Sequence, residues 1–313
     1  MGSICDNTLS MSQNETTQVQ SQISSGQQNK IPEFKRDIFP TNIALSAADI
    51  CELAAIIKQS NDEAIKLELE TVDREAEDRQ ERVNGISNLM QVKYILRASN
   101  GDEIVGLEIP AEDDLDDYLS TFYISSEEYA RLQVNQTPLN HVSALLSFKQ
   151  PSLKLDWVNP PSNPTENTSV INIVGRNENW VRATAGKLED FFDKKKTIRP
   201  VIHGSGAYDY LLFLLFLPAI IGLLAKYDTL IFRWAEEKSQ LFNVVLGIYF
   251  LLLTLLFAHI VFKIVRWVFP PIEYYKVSNK RATGLRAIVI LALGTLLLSG
   301  LYDFLKYFIT ILF

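Results

Sequence analysis

Three apolar stretches in the C-terminal third of the chain constrain it most. They cover about 208–226, 241–266 and 285–305. The first, Tyr208 to Ala225, has Asp209 as its one charged residue; the second is apolar from Leu241 to Val261 and continues past Lys263 and Arg266 to Phe269; the third is uncharged from Ala287 to Tyr302. Each has the roughly 20 residues needed to cross about 30 Å of hydrocarbon. Backbone groups in lipid must find partners within their own segment, so these spans are expected as helices.

The rest of the chain is a different polymer. Residues 1–204 carry 20 Lys and Arg against 31 Asp and Glu, a net charge of −11. Residues 205–313 carry 10 against 6, a net of +4, and together they give the chain's −7. A freely soluble protein is excluded by the spans, and a disulfide scaffold by the presence of only Cys5 and Cys51. Net acidity argues against a nucleic-acid partner.

The cations flanking the spans set an expected orientation. Lys194, Lys195, Lys196 and Arg199 precede the first span, and Lys263, Arg266, Lys276, Lys280, Arg281 and Arg286 lie between the second and third. Lys226, Arg233, Lys238 and Lys306 fall on the other side, ten against four. The N-terminal domain is therefore expected to be cytoplasmic and the C-terminus outside, in a multi-pass cell-membrane protein. No secretory signal opens the chain, and the sequons at Asn14, Asn135 and Asn167 would then be unused. The start at Gly2 and Cys5 half-matches a myristoylation signal, with Asp6 where Ser or Thr is required.

Residues 1–36, rich in Ser, Gln, Asn and Thr, read as a disordered polar tail. Residues 37–200 read as an α+β domain, mostly antiparallel sheet with helices, ahead of a C-terminal bundle of three transmembrane helices. Ser46 and Asp49 form a capping-box start for a helix over Ala47–Gln59, and Ile65–Thr71 alternates like a strand. Strands are expected over Met90–Ala98 and Glu103–Ile109, joined at Asn100-Gly101, then at Ser120–Ile124, Val142–Phe148, Leu153–Val158 and Val170–Val174. A helix is expected over Asn177–Lys195, after an exposed Pro/Asn/Ser-rich loop at Asn159–Ser169. His203-Gly204-Ser205-Gly206 suggests that 201–207 is a short flexible joint, leaving 208–313 as the membrane domain.

Polar groups inside spans raise functional questions. His259 and Asn243 are candidates for a polar path, although a bond from His259 to a neighbouring helix is the plainer reading. Asp303 and Lys306, one turn apart, suggest a local pair at the outer interface. Lys194, Lys195, Lys196 and Arg199 form a cluster that sets topology and attracts anionic headgroups. Pro218 and Gly222, and Gly294 and Gly300, mark close helix approaches. Three helices make a thin bundle that leaves room for homo-oligomers.

The chain lacks GxxxxGK[ST], GxGxxG, HExxH, CxxC and GxSxG, and its three histidines are far apart in sequence. The acidic run Glu112–Asp117 lacks the glycine and the spacing of a calcium loop. No catalytic residue, metal site or cofactor is expected. The reading is a non-enzymatic integral membrane protein whose cytoplasmic domain binds a protein or small-ligand partner, anchored in the bilayer by three spans. The alternative is an oligomeric pore or membrane-disrupting effector gated by that domain.

Overall fold

The computed structural model describes residues 32–70, 79–115, 119–151, 153, 162–197, 199–226, 239–275 and 280–312. Six strands form one antiparallel sheet: β1 (Phe34–Ile38), β3 (Lys93–Ala98), β4 (Glu103–Leu107), β5 (Leu119–Ser125), β6 (Asn140–Ser147) and β7 (Val170–Gly175). Their order across the sheet is β1-β7-β6-β5-β3-β4. Five of the expected strands, β3 to β7, are found with small shifts at their ends. The Asn100-Gly101 turn is also found: Gly101 takes φ 97°, where a side chain is strained, and Asn100 Oδ1 accepts from the Asp102 amide at 3.0 Å. β1 lies at the edge of what read as a polar tail, and residues 1–31 are outside the described set. The expected strand at Leu153–Val158 lies almost wholly outside it too.

Two helices, α1 (Ala47–Glu70) and α4 (Glu178–Lys194), pack on one face of this sheet. α1 starts at the expected capping box, with the Ser46 amide donating to Asp49 Oδ2 at 2.7 Å and the Asp49 amide to Ser46 Oγ at 3.2 Å. It then runs straight through Ile65–Glu70, which alternation had assigned to a strand. The helical face Ile50, Leu53, Ala54, Ile57, Ala64 is buried, and that 3.6-residue period outlasts the local alternation. From the sheet, Phe122, Ile124, Val142, Ala144, Leu146, Ile171 and Ile173 meet this face and the Trp180, Val181, Leu188 face of α4. Two shorter helices, α2 (Arg79–Leu89) and α3 (Glu128–Val134), complete the described part of the domain before α5 (Pro200–His203).

Three helices follow that are long and apolar enough to cross a membrane: α6 (Ala207–Lys226), α7 (Gln240–Val268) and α8, whose apolar part is Arg286–Thr310 within Lys280–Leu312. From Gln240 to Phe257 no described side chain of α7 is buried, and Gly300 is the single buried residue described in the apolar part of α8. Large apolar side chains such as Leu241, Leu291 and Leu298 are mostly exposed, as lipid contact requires. α6 and α8 touch at Gly222 and Gly300, where an added Cβ would strike the backbone of the other helix. Gly294 has open space around it and takes no part. One turn of α6, Leu212–Phe216, is a π-turn, placed just before Pro218. Pro218 has no N–H for its helical acceptor, and the wider turn relieves the clash of its ring.

The last strand, β8 (Ile272–Tyr275), lies in the loop between α7 and α8, yet it pairs in parallel with β2 (Ile43–Ser46) of the N-terminal domain. β2 is held on its other side by residues 195–197, through the Ala44 amide to Lys195 O at 3.3 Å and the Thr197 amide to Asn42 O at 2.8 Å. Ile272 is 1% exposed and belongs to the same core as Ile43 and Leu45, and the Tyr274 ring lies 5.6 Å from that of Phe148. A loop between two membrane helices thus supplies part of the N-terminal domain's core.

Candidate functional site

The chemistry concentrates where α7 ends. A helix leaves its last carbonyls without partners, and Pro270 and Pro271 have no N–H to offer. Three side chains, two from α5 and its N-cap and one from α8, supply donors instead. Arg286 Nε donates to Val268 O at 3.2 Å, His203 Nε2 to Phe269 O at 2.5 Å and Arg199 Nη1 to Pro270 O at 2.8 Å. Cations and donors at this end also oppose the negative pole of the helix.

Glu273, on β8, sits between two of these groups. One carboxylate oxygen accepts from Arg199 Nη2 and the other from Arg286 Nη2. All three side chains are largely buried, with 11% exposure at Arg199 and Glu273 and 25% at Arg286. Arg266, one turn before the end of α7, donates from Nε to Ile202 O at 3.1 Å and lies over the Phe262 ring at 4.6 Å. Its Nη2 is buried and has no hydrogen-bond partner among the described residues. The cluster therefore holds three guanidinium groups against one carboxylate.

His203 completes it. Its Nδ1 meets Thr165 Oγ1 at 2.8 Å while Nε2 faces the Phe269 carbonyl. A carbonyl can only accept, so the proton belongs on Nε2 and the Thr165 hydroxyl donates to Nδ1. Burial pushes this imidazole down to about 4; the Phe269 carbonyl opposes the shift, and Arg266 and Arg199 reinforce it. At neutral pH His203 is an uncharged pin between two domains.

The segment expected as a loose joint is thus a bonded one. The Thr165 amide donates to His203 O, the Gly206 amide to Ser162 O, and Ser162 Oγ to Asp209 Oδ1 at 2.7 Å. Gly206 takes φ 73°, which serves a tight turn into α6 rather than slack. Ser162 and Thr165 of the Pro/Asn/Ser-rich loop thus grip this turn, while Asn163 and Pro164 between them are exposed, as expected of that loop.

The other sequence candidates are dispersed. His259 is buried on α7 with its ring 6.3 Å from that of Tyr208 on α6. Asn243 is on the first turns of α7, its side chain outside the described set; sixteen residues of helix, about 24 Å, separate the two. One chain does not bring them together. Asp303 Oδ2 accepts from Lys226 Nζ across helices at 3.0 Å, so its described ion pair is with Lys226 rather than with Lys306 on its own helix. Of the basic cluster, Lys195 binds Asp49 at 2.5 Å, Lys196 binds Asp193 at 2.8 Å, Arg199 is taken up by Glu273, and Lys194 is exposed. Lys195 and Arg199 therefore join distant parts of the chain, while Lys196 pairs with a near neighbour on the surface.

Sequence reasoning missed Glu273 and the role of Arg266 and Arg286, which were read only as topology signals. The available signal was Ile272-Glu273-Tyr274-Tyr275, a β-prone run after two prolines in an otherwise basic loop. Among the described residues, no three His, Cys, Asp or Glu side chains are grouped as metal ligands. Comparison with protein-family models, curated proteins and solved structures finds no match to this chain.

Proposed function

We propose that the chain is a non-enzymatic membrane protein whose α+β domain faces the cytoplasm, binds a partner there, and is held by the three spans in a set attitude to the bilayer. The observation that carries this reading is β8: a strand from a membrane loop lies in the core of the domain, beside a cluster that caps α7. An anchor alone needs no such construction. A domain whose binding state has to reach the spans does.

The domain also has a concave surface suited to a partner. A groove of about 440 Å³ runs between the edge strand β1 and α4, with Phe34, Val181, Ala185 and Gly186 below and the Arg36–Glu189 and Arg182–Glu178 pairs at its rim. Among the described strands β1 is an edge strand that pairs with β7 alone, a position that suits addition of an extended peptide segment.

The test uses full-length chain reconstituted in dye-loaded vesicles, with a photo-crosslinking residue at Arg182 or, as control, at Leu132 on α3. Adducts to one defined protein from Arg182 and not from Leu132, with dye retained, support the reading. Dye release would favour the pore instead. Equal labelling from both positions would remove the groove from the account, and a cytoplasmic reporter signal from Phe313 would contradict the orientation.

A further inference from the structure

We infer that the cluster of Arg266, Arg286 and Arg199 is a binding site for an oxyanion, the phosphate of an anionic headgroup being the form available at its depth. Arg199 and Arg286 share Glu273, which leaves the third guanidinium without a counter-charge among the groups described around it. Arg266 is more than nine-tenths buried, its Nε is used by Ile202 O, and its Nη2 faces no acceptor among the described residues. An enclosed cationic donor with no partner costs more than one left in water, so an acceptor, preferably an anion, stabilises the arrangement. The Phe262 ring beneath the guanidinium compensates a part of this and supplies no hydrogen-bond acceptor in its plane.

Position selects the ligand class. α7 has 29 residues, about 44 Å of helix against about 30 Å of hydrocarbon, so its last turns reach the headgroup layer. Arg286 begins the apolar part of α8 at the same end. Arg286 is the most exposed member of the cluster, at 25%. The planar donor forks of guanidinium groups match phosphate oxygens in pairs. This site is distinct from the surface attraction expected of Lys194–Lys196, because it consists of buried donors.

The experiment measures the melting temperature of the full chain in phosphatidylcholine nanodiscs, in nanodiscs containing phosphatidylglycerol, and in phosphatidylcholine nanodiscs with added inorganic phosphate. A rise with phosphatidylglycerol that survives about 0.5 M NaCl, where diffuse attraction is screened, is expected. Arg266→Lys keeps the charge and loses the planar donor fork, and should weaken apparent affinity for short-chain phosphatidylglycerol about tenfold. A comparable rise with inorganic phosphate would also support the site and assign its ligand to solution. No rise from either source would overturn the proposal. So would a rise that salt or the double change Lys194→Gln, Lys196→Gln abolishes while Arg266→Lys leaves it intact. Should Arg266→Lys fail to fold, retention of phosphatidylglycerol over phosphatidylcholine by the unaltered chain in native mass spectrometry decides, and equal retention counts against the site.

Discussion

At the scale of single residues, Glu273 holds the junction together because it is the one acid among the arginines of the cluster. Removing one partner of a buried ion pair leaves the other uncompensated, typically a loss of about 3–5 kcal/mol. Glu273→Ala strands both Arg199 and Arg286, so chemical denaturation of the full chain in detergent should show a loss of at least that order. A change within about 0.5 kcal/mol, as for a surface site, would mean that the cluster contributes little. His203 gives a pH signature. Its pKa in the fold, about 4, lies below the ordinary 6.5, so protonation opposes folding. Its contribution is complete above pH 6.5 and is lost as pH falls from 6.5 towards 4. His203→Gln should flatten the fall in melting temperature over that interval. Asp49 responds in a separate window: burial raises its pKa, but its bonds from Lys195 and Ser46 outweigh that and hold it below 3.8, so its contribution is lost only as pH falls past that value. Of this, the Ser46–Asp49 cap was legible in the sequence; the place of His203 was not, because a histidine before two glycines looks the same whether its ring is solvated or pinned between Thr165 and Phe269.

At the scale of elements, glycine positions separate contact from coincidence. Gly222 and Gly300 lie where two helix backbones meet, whereas Gly294 faces open space. Gly300→Val should therefore destabilise the α6–α8 pair by more than the usual about 1–3 kcal/mol of overpacking, since backbone cannot yield as a side chain does. Gly294→Val should be close to neutral, and thermal unfolding in detergent compares the two. Equal effects would contradict the packing. The spans themselves were legible because about 20 apolar residues have few other uses. The sheet strands were legible from alternation and the Asn100-Gly101 turn. Ile65–Glu70, within the stretch expected as a strand, was not, because its six residues of alternation fit a strand while the buried face of α1 follows a longer period. β8 was missed for a different reason: a four-residue strand has meaning only through its partner, and β2 lies more than 200 residues away in sequence.

At the scale of the whole molecule, the acidic N-terminal part and the basic C-terminal part read as two bodies with a tether between them. The structure joins them instead through β2–β8, the Arg199–Glu273–Arg286 bridge, His203 and the grip of residues 162–165 on the turn into α6. Pairing distant in sequence also implies that the domain acquires its complete core only after the loop between α7 and α8 is in place. A piece ending near residue 200 lacks Ile272 and Tyr274, and should be less stable than the same domain in the full chain; hydrogen exchange at Ile43 and Leu45 measures the difference, and equal protection would argue against β8. The most direct measurement is the distance distribution between spin labels at Arg182, on the exposed side of α4, and Leu298, on the lipid-facing side of α8, in the full chain in vesicles. A single narrow distribution, broadened by Glu273→Ala, is expected of a joined molecule. A broad distribution unchanged by Glu273→Ala would show the domain to be a tethered body after all.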